Sequence, residues 1–153
     1  LIIDLPPGTG DIQLTLAQKI PVAGAVIVTT PQDIALIDAK RAVNMFRKVD
    51  VPVLGVVENM STHICTACGH EEAIFGHGGG AEMAKEFELP LLGQLPLTME
   101  IRSSLDAGKP TMMQEQDSPI AQRYRSLALR TAGVLSVMPR SMTLQMPQIV
   151  VQN

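Results

Sequence analysis

The side chains of this 153-residue chain best suited to chemistry are Cys65 and Cys68, in His63-Ile64-Cys65-Thr66-Ala67-Cys68-Gly69-His70. With two residues between them both sulfurs can point at one ion, and Gly69 relieves the backbone where it must curl around a metal. A tetrahedral Zn²⁺ or a 4Fe–4S cluster needs four protein ligands, and the chain has only 2 cysteines. The missing ligands are histidines or the same pair from a second chain. His63, His70 and His77 could complete an intrachain Cys2His2 zinc site, although a finger has its histidines about a dozen residues later and roughly three to five apart. A thioredoxin-like redox pair is a third reading, but it sits at the start of a helix, a context that Gly69, His70 and two glutamates do not supply. A site shared between two copies fits the ligand count best.

Other candidate residues stand where apolar runs end. The first run closes in Asp4-Leu5-Pro6-Pro7-Gly8-Thr9-Gly10-Asp11, an acid leaving a strand into a loop of prolines and glycines. A carboxylate there can hold Mg²⁺ through its water shell, and the loop can sense a γ-phosphate; a plain strand-to-helix turn with Asp11 as N-cap is the alternative. Thr29-Thr30-Pro31-Gln32-Asp33 could orient a phosphate, but its first expectation is to cap a helix. Glu58-Asn59-Met60-Ser61 offers, in Asn59, an amide that matches the N6 and N7 edge of adenine or simply forms a turn. Phe75-Gly76-His77-Gly78-Gly79-Gly80 lacks the Lys and Ser/Thr of a phosphate-binding P-loop and reads as a flexible entry to a helix near Ala81.

The elements that must position these residues follow from hydrophobic patterning. Leu1 to Leu5, Ala25 to Thr30, Val53 to Glu58 and Leu91 to Leu95 are short continuous apolar runs, the pattern of parallel strands buried on both faces. Between them lie helical periods, clearest over Asp33 to Val49, where Leu36, Ala39, Val43 and Phe46 form one stripe. A short helix is expected over Met99 to Ala107, stopped by Gly108 and Pro110. A longer one opens with Ser118 as N-cap and Pro119 at the first position, with Ile120, Tyr124, Leu127, Thr131 and Leu135 buried, and ends near Met138. Strands alternating with helices predict a doubly wound, mostly parallel α/β sheet, with ligands at the carboxyl ends of its strands. Residues 1–138 form one domain in this reading; 139–153 are a loosely held tail with a strand hint at Ile149 to Val151.

Composition narrows the partners. With 46% hydrophobic and 18% charged residues the chain has the makings of a packed α/β domain. Twelve Lys and Arg against fifteen Asp and Glu give a formal charge of -3, which offers no net positive field for nucleic acid or an anionic membrane. No apolar run reaches the ~20 residues of a membrane span, and no signal peptide opens the chain, so the expected location is the cytoplasm. Leu1 lies inside an apolar run with no initiator Met, and a preceding segment is therefore expected.

Taken in order, the Asp4–Asp11 loop, Thr29-Thr30-Pro31-Gln32-Asp33-Ile34-Ala35, Glu58-Asn59-Met60-Ser61 and the Cys65/Cys68 pair resemble the Mrp/ApbC family of iron–sulfur cluster carrier ATPases. Gly93-Gln94-Leu95-Pro96-Leu97 and Ile101-Arg102 fit the same pattern, and the resemblance runs from Leu1 to about Arg130. It implies a P-loop NTPase fold like MinD and the nitrogenase iron protein, and a homodimer in which two CxxC pairs bridge one 4Fe–4S cluster. Asp4 would serve the Mg²⁺ of bound ATP; Pro6 to Asp11, with Gly8 and Asp11, would form a switch loop. Asn59 would contact adenine, with Pro96 to Arg102 backing the base. The cluster would pass to apo iron–sulfur proteins under ATP control. The family's Walker A loop and first switch aspartate are not in this sequence, so the chain by itself is not expected to hydrolyse ATP. Without the Walker A strand, Leu1–Leu5 and Ala25–Thr30 would either flank a gap or pair directly. Two other readings are a non-catalytic dimerisation module with Zn²⁺ bridged by two CxxC pairs, and a partitioning ATPase, which leaves the thiols without a purpose.

Overall fold

The computed structural model describes residues 1–6, 8, 10–114 and 116–138. Helix α1 (Asp11–Lys19) precedes strand β1 (Ala25–Thr29), helix α2 (Asp33–Lys48) and strand β2 (Val53–Glu58). A small hairpin of β3 (His63–Ile64) and β4 (Glu71–Glu72) follows, then α3 (Gly79–Glu86), β5 (Leu91–Gln94), α4 (Met99–Asp106), α5 (Thr111–Gln114) and α6 (Pro119–Val137). Strands β1, β2 and β5 form a parallel sheet in the order β1-β2-β5, with Thr29 opposite Glu58 and Glu58 opposite Gln94.

Side-chain alternation along β2 explains why its six residues are all buried. Val56 points into a core shared with Val43 and Phe46 of α2 and Met83 of α3, while Val57 packs with Leu92 and Leu95 beneath Tyr124, Leu127 and Val134 of α6. Helices thus cover both faces of β2, the doubly wound layout expected of a continuous apolar run. The α2 stripe buries Ala39, Val43 and Phe46 with Leu36 packed alongside, as its period predicts. Ser118 caps α6 by accepting the Ala121 N–H at 3.2 Å, and Thr98 caps α4 by accepting that of Ile101 at 3.1 Å.

Three sequence expectations change. Leu1–Leu5 is not a strand: Leu1 and Ile2 are fully exposed, and no ladder partner exists for the segment among the described residues. An apolar run becomes a strand only when a neighbour takes up its backbone groups. Direct pairing with β1 therefore does not occur, and Val28 of β1 is left exposed. In α6 the buried stripe continues to Val134 while Leu135 is 42% exposed, because the helix lies over β5 and β2 on the face that carries Leu127. Of the glycines expected to form a flexible entry, Gly76 and Gly78 have open space around them, but Gly79 and Gly80, the first residues of α3, are closely packed. A Cβ on Gly79 would stand 2.7 Å from Leu36 and 2.9 Å from the Pro31 carbonyl, and one on Gly80 2.9 Å from Glu58. The expected tail at 139–153 lies outside the described residues.

Candidate metal centre and nucleotide edge

The thiols sit at the tip of the β3–β4 hairpin. His63 pairs with Glu72 and Ile64 with Glu71, the Cys65 N–H donates to the His70 carbonyl at 2.9 Å, and the Gly69 N–H returns to the Cys65 carbonyl at 2.8 Å. That last turn requires the positive φ of 73° at Gly69, which a glycine adopts without strain. Cys68 is exposed and Cys65 partly so, and both are free thiols. The N–H groups of Ala67 and Cys68, and then the Cys68 thiol, hold Cys65 below the usual thiol range. A thiolate-favouring turn with its sulfurs facing solvent suits a soft metal and leaves room for ligands from outside.

The intrachain Cys2His2 site is not assembled. Among the described residues no group of three or more His, Cys, Asp or Glu side chains converges to hold a metal ion. The hairpin register is the reason: His63 is held opposite Glu72, and His70 lends its backbone carbonyl to the turn. Nor does the pair open a helix, as a thioredoxin-like site would; it lies in a hairpin turn.

The hairpin is bound to the sheet by a continuation of the β2–β5 ladder. The Leu95 N–H donates to the Glu58 carbonyl, Ser61 donates both its N–H and its hydroxyl to the Leu95 carbonyl, Leu97 donates to Thr62, and Ile64 donates to Leu97. These bonds extend to the residue before Cys65. On the other arm, Glu71 accepts the Thr62 hydroxyl at 2.5 Å and faces Arg123 of α6 at 3.4 Å.

The carboxyl ends of β1, β2 and β5 bring Thr30, Asn59 and Pro96 to one edge, with the Asn59 N–H bonded to the Thr29 carbonyl at 2.7 Å. Asn59 uses its amide oxygen to accept the Met60 N–H at 2.9 Å, which leaves its NH₂ as the side chain's donor group. Pro96 is buried, and Arg102 is exposed on α4 beside Asp106 at 3.4 Å. Asp4 is exposed before the loop, Gly8 has φ 96°, and Asp11 is the first residue of α1, with Gly10 rather than Asp11 at the N-cap. Among the described residues this loop makes no ladder with the three-stranded sheet. Thr30 bonds to Gln32, and α2 begins without a side-chain cap, so the capping expected there is not made.

Two polar residues escaped notice in the sequence. Gln13, buried on α1, donates through Nε2 to the Pro6 and Gly8 carbonyls at 2.8 and 3.1 Å, and nothing in its sequence context signals this. Glu58, 1% exposed, was visible as a charge closing an apolar run.

A parallel sheet flanked by helices, with an acidic loop, an asparagine and a thiol hairpin beyond its strands, makes this an α/β domain, and its fold is that of MinD-like P-loop NTPases. The chain belongs to the NUBPL iron-transfer P-loop NTPase family (ParA), whose family model matches residues 1–132. It is 63% identical over 133 residues to an iron-sulfur cluster carrier protein of Pseudomonas fragi, covering 87% of the chain and 46% of that protein. It is 60% identical over 135 residues to the iron-sulfur cluster carrier protein of Escherichia coli K12 (88% and 37%). Against the mouse iron-sulfur cluster transfer protein NUBPL it is 47% identical over 139 residues (91% and 44%). The chain thus spans less than half the length of each. Among solved structures, an Archaeoglobus fulgidus nucleotide-binding protein in complex with ADP, with cobalt found in it, superposes at TM-score 0.64 with 33% identity, over 78% of this chain and 48% of that one. The Pyrococcus furiosus cell division ATPase MinD shares the fold at TM-score 0.56 and 23% identity (73% and 43%). Among the described residues no helix is long and apolar enough to cross a membrane.

Proposed function

We propose that this chain is the cargo-holding part of an iron–sulfur cluster carrier, in which Cys65 and Cys68 supply two thiolates and a second copy supplies two more to one 4Fe–4S cluster. The observation that carries this reading is the hairpin turn: two outward-facing sulfurs, with no third ligand among the described residues. The names of the relatives support iron–sulfur cargo. A cluster held at exposed turns by two separable thiolate pairs suits delivery, because a recipient apo-protein's thiolates can displace the carrier's one by one from the solvent side.

In this reading nucleotide binds at the strand ends of the longer protein. Asn59 donates to adenine with Pro96 and Arg102 near the base, Asp4 serves Mg²⁺, and Gly8 and Asp11 belong to the loop that responds to the γ-phosphate. Mg²⁺, held there through water, would neutralise phosphate charge. The protein works as a cytoplasmic homodimer.

Anaerobic reconstitution with ferrous iron and sulfide, followed by metal and sulfide analysis, tests the cargo. About four iron and four sulfide per two chains are expected, and Cys65→Ser should abolish uptake. A Cys65→Ser chain that loads fully would sink the reading. Tightly held zinc without cluster uptake would replace it with the zinc-bridged dimerisation module.

A further inference from the structure

Glu58 is a carboxylate almost wholly withdrawn from water at the end of a strand whose other residues are apolar or glycine. Burying such a group is costly unless its oxygens are hydrogen-bonded, and an apolar side chain would fill the place more cheaply. Both oxygens are used. Oε2 accepts the Gly80 N–H of α3 at 2.5 Å, and Oε1 accepts the Gln94 side-chain amide of β5 at 2.7 Å. Residues 59–79, which carry the thiol hairpin, follow directly on Glu58 at the end of β2 and run to the first residue of α3, directly before Gly80. The carboxylate therefore joins the two feet of that excursion and ties both to the neighbouring strand. Gly80 is shaped for this contact, since a Cβ there would lie 2.9 Å from both Cβ and Oε2 of Glu58. The bond also satisfies one of the N–H groups that a helix leaves unpaired in its first turn.

We propose that Glu58 is a positioning residue for the thiol site: its carboxylate clamps the feet of the 59–79 excursion, and so sets how Cys65 and Cys68 are presented to the ligand they share. The inference rests on the reading that these thiols hold a metal cargo. Glu58 does not touch the metal; it acts through the loop. A glutamine can do the same work, because its oxygen can accept from Gly80 while its NH₂ donates to a Gln94 amide turned over.

The test compares wild type, Glu58→Ala, Glu58→Gln and Gly80→Ala in the full chain, with two readouts. One is the rate at which the metal-free thiols react with an aromatic disulfide. The other is iron uptake and the visible absorption of the cluster after anaerobic reconstitution. Glu58→Ala and Gly80→Ala should each speed the thiol reaction and weaken iron retention, by roughly tenfold, as loss of a supporting contact behind a metal site commonly does. Glu58→Gln should restore both readouts to near the wild-type level. If Glu58→Ala does not fold, as judged by circular dichroism, Gly80→Ala and Glu58→Gln carry the comparison. Unchanged thiol rates and cluster spectra in both alanine variants would overturn the clamp, as would a Glu58→Gln chain as impaired as they are. A wild-type chain that takes up no iron, while its thiol rates still respond to these substitutions, would sink the metal reading and leave the clamp standing.

Discussion

At the scale of single residues, Glu71 joins the thiol hairpin to α6, and its carboxyl group lies below the ordinary value of 4.5. The Thr62 hydroxyl is the main cause, with the charge and hydrogen bond of Arg123 added and slight burial opposing them. A carboxyl group depressed by folding stabilises fully above its unfolded value and loses that contribution as pH falls through the folded one. The hairpin base should therefore loosen only on the acid side of 4.5. Amide exchange at Ile64 and Cys65, followed on acidification, should show that loosening in wild type and not in Glu71→Gln; the same acid response in both would refute it. The effect is small, since the ion pair is 39% and 44% exposed at its two side chains. Gly55 should be far less tolerant. With φ 153° and a hypothetical Cβ 2.5 Å from the Pro90 carbonyl and 2.7 Å from Leu92, Gly55→Ala should destabilise by about 1–3 kcal/mol in urea unfolding.

Among the elements, α6 is the one that covers the second face of the sheet, and its start is defined by Ser118 and Pro119. Removing the cap with Ser118→Ala should cost about 1 kcal/mol and lower the thermal midpoint, whereas Ser126→Ala, exposed in mid-helix, should change little. Such caps and stripes were legible because they are written within one or two turns of chain. That is why α2, α4 and α6 were predicted close to their observed bounds. Leu1–Leu5 failed for the complementary reason. Its apolarity is real, but a strand is a relation between two segments, and hydropathy states only one side of it. The glycines at Gly79 and Gly80 likewise looked like flexibility and are close approaches to Pro31, Leu36 and Glu58.

For the whole molecule, the thiol pair supplies only half of the ligands that a tetrahedral ion or a cluster requires. Loading should therefore change the assembly. Sedimentation under anaerobic conditions should show two copies per complex with the cluster bound and fewer after its removal by a chelator. A loaded species that sediments as one copy would contradict a shared site. The edge strand bears on the same scale: among the described residues β1 pairs only with β2, and Val26 and Val28 on one of its faces stand 36% and 62% exposed. An unpaired, apolar parallel edge is a place where a further strand can add or where chains can aggregate.

By itself, the sequence determined the class of fold, through apolar runs alternating with helical periods. It also marked the tip as the candidate site, through two cysteines with two residues between them. The tertiary structure decided which alternatives were realised. It held His63 opposite Glu72, so that the histidines do not join the thiols, and it left the first apolar run outside the sheet. It also joined Glu58 to Gly80 across 22 residues and Ser61 to Leu95 across 34. The physical reason is range. Periodicity, caps and turn geometry are settled within a few residues, whereas a hydrogen bond between distant segments exists only once packing has placed both partners together.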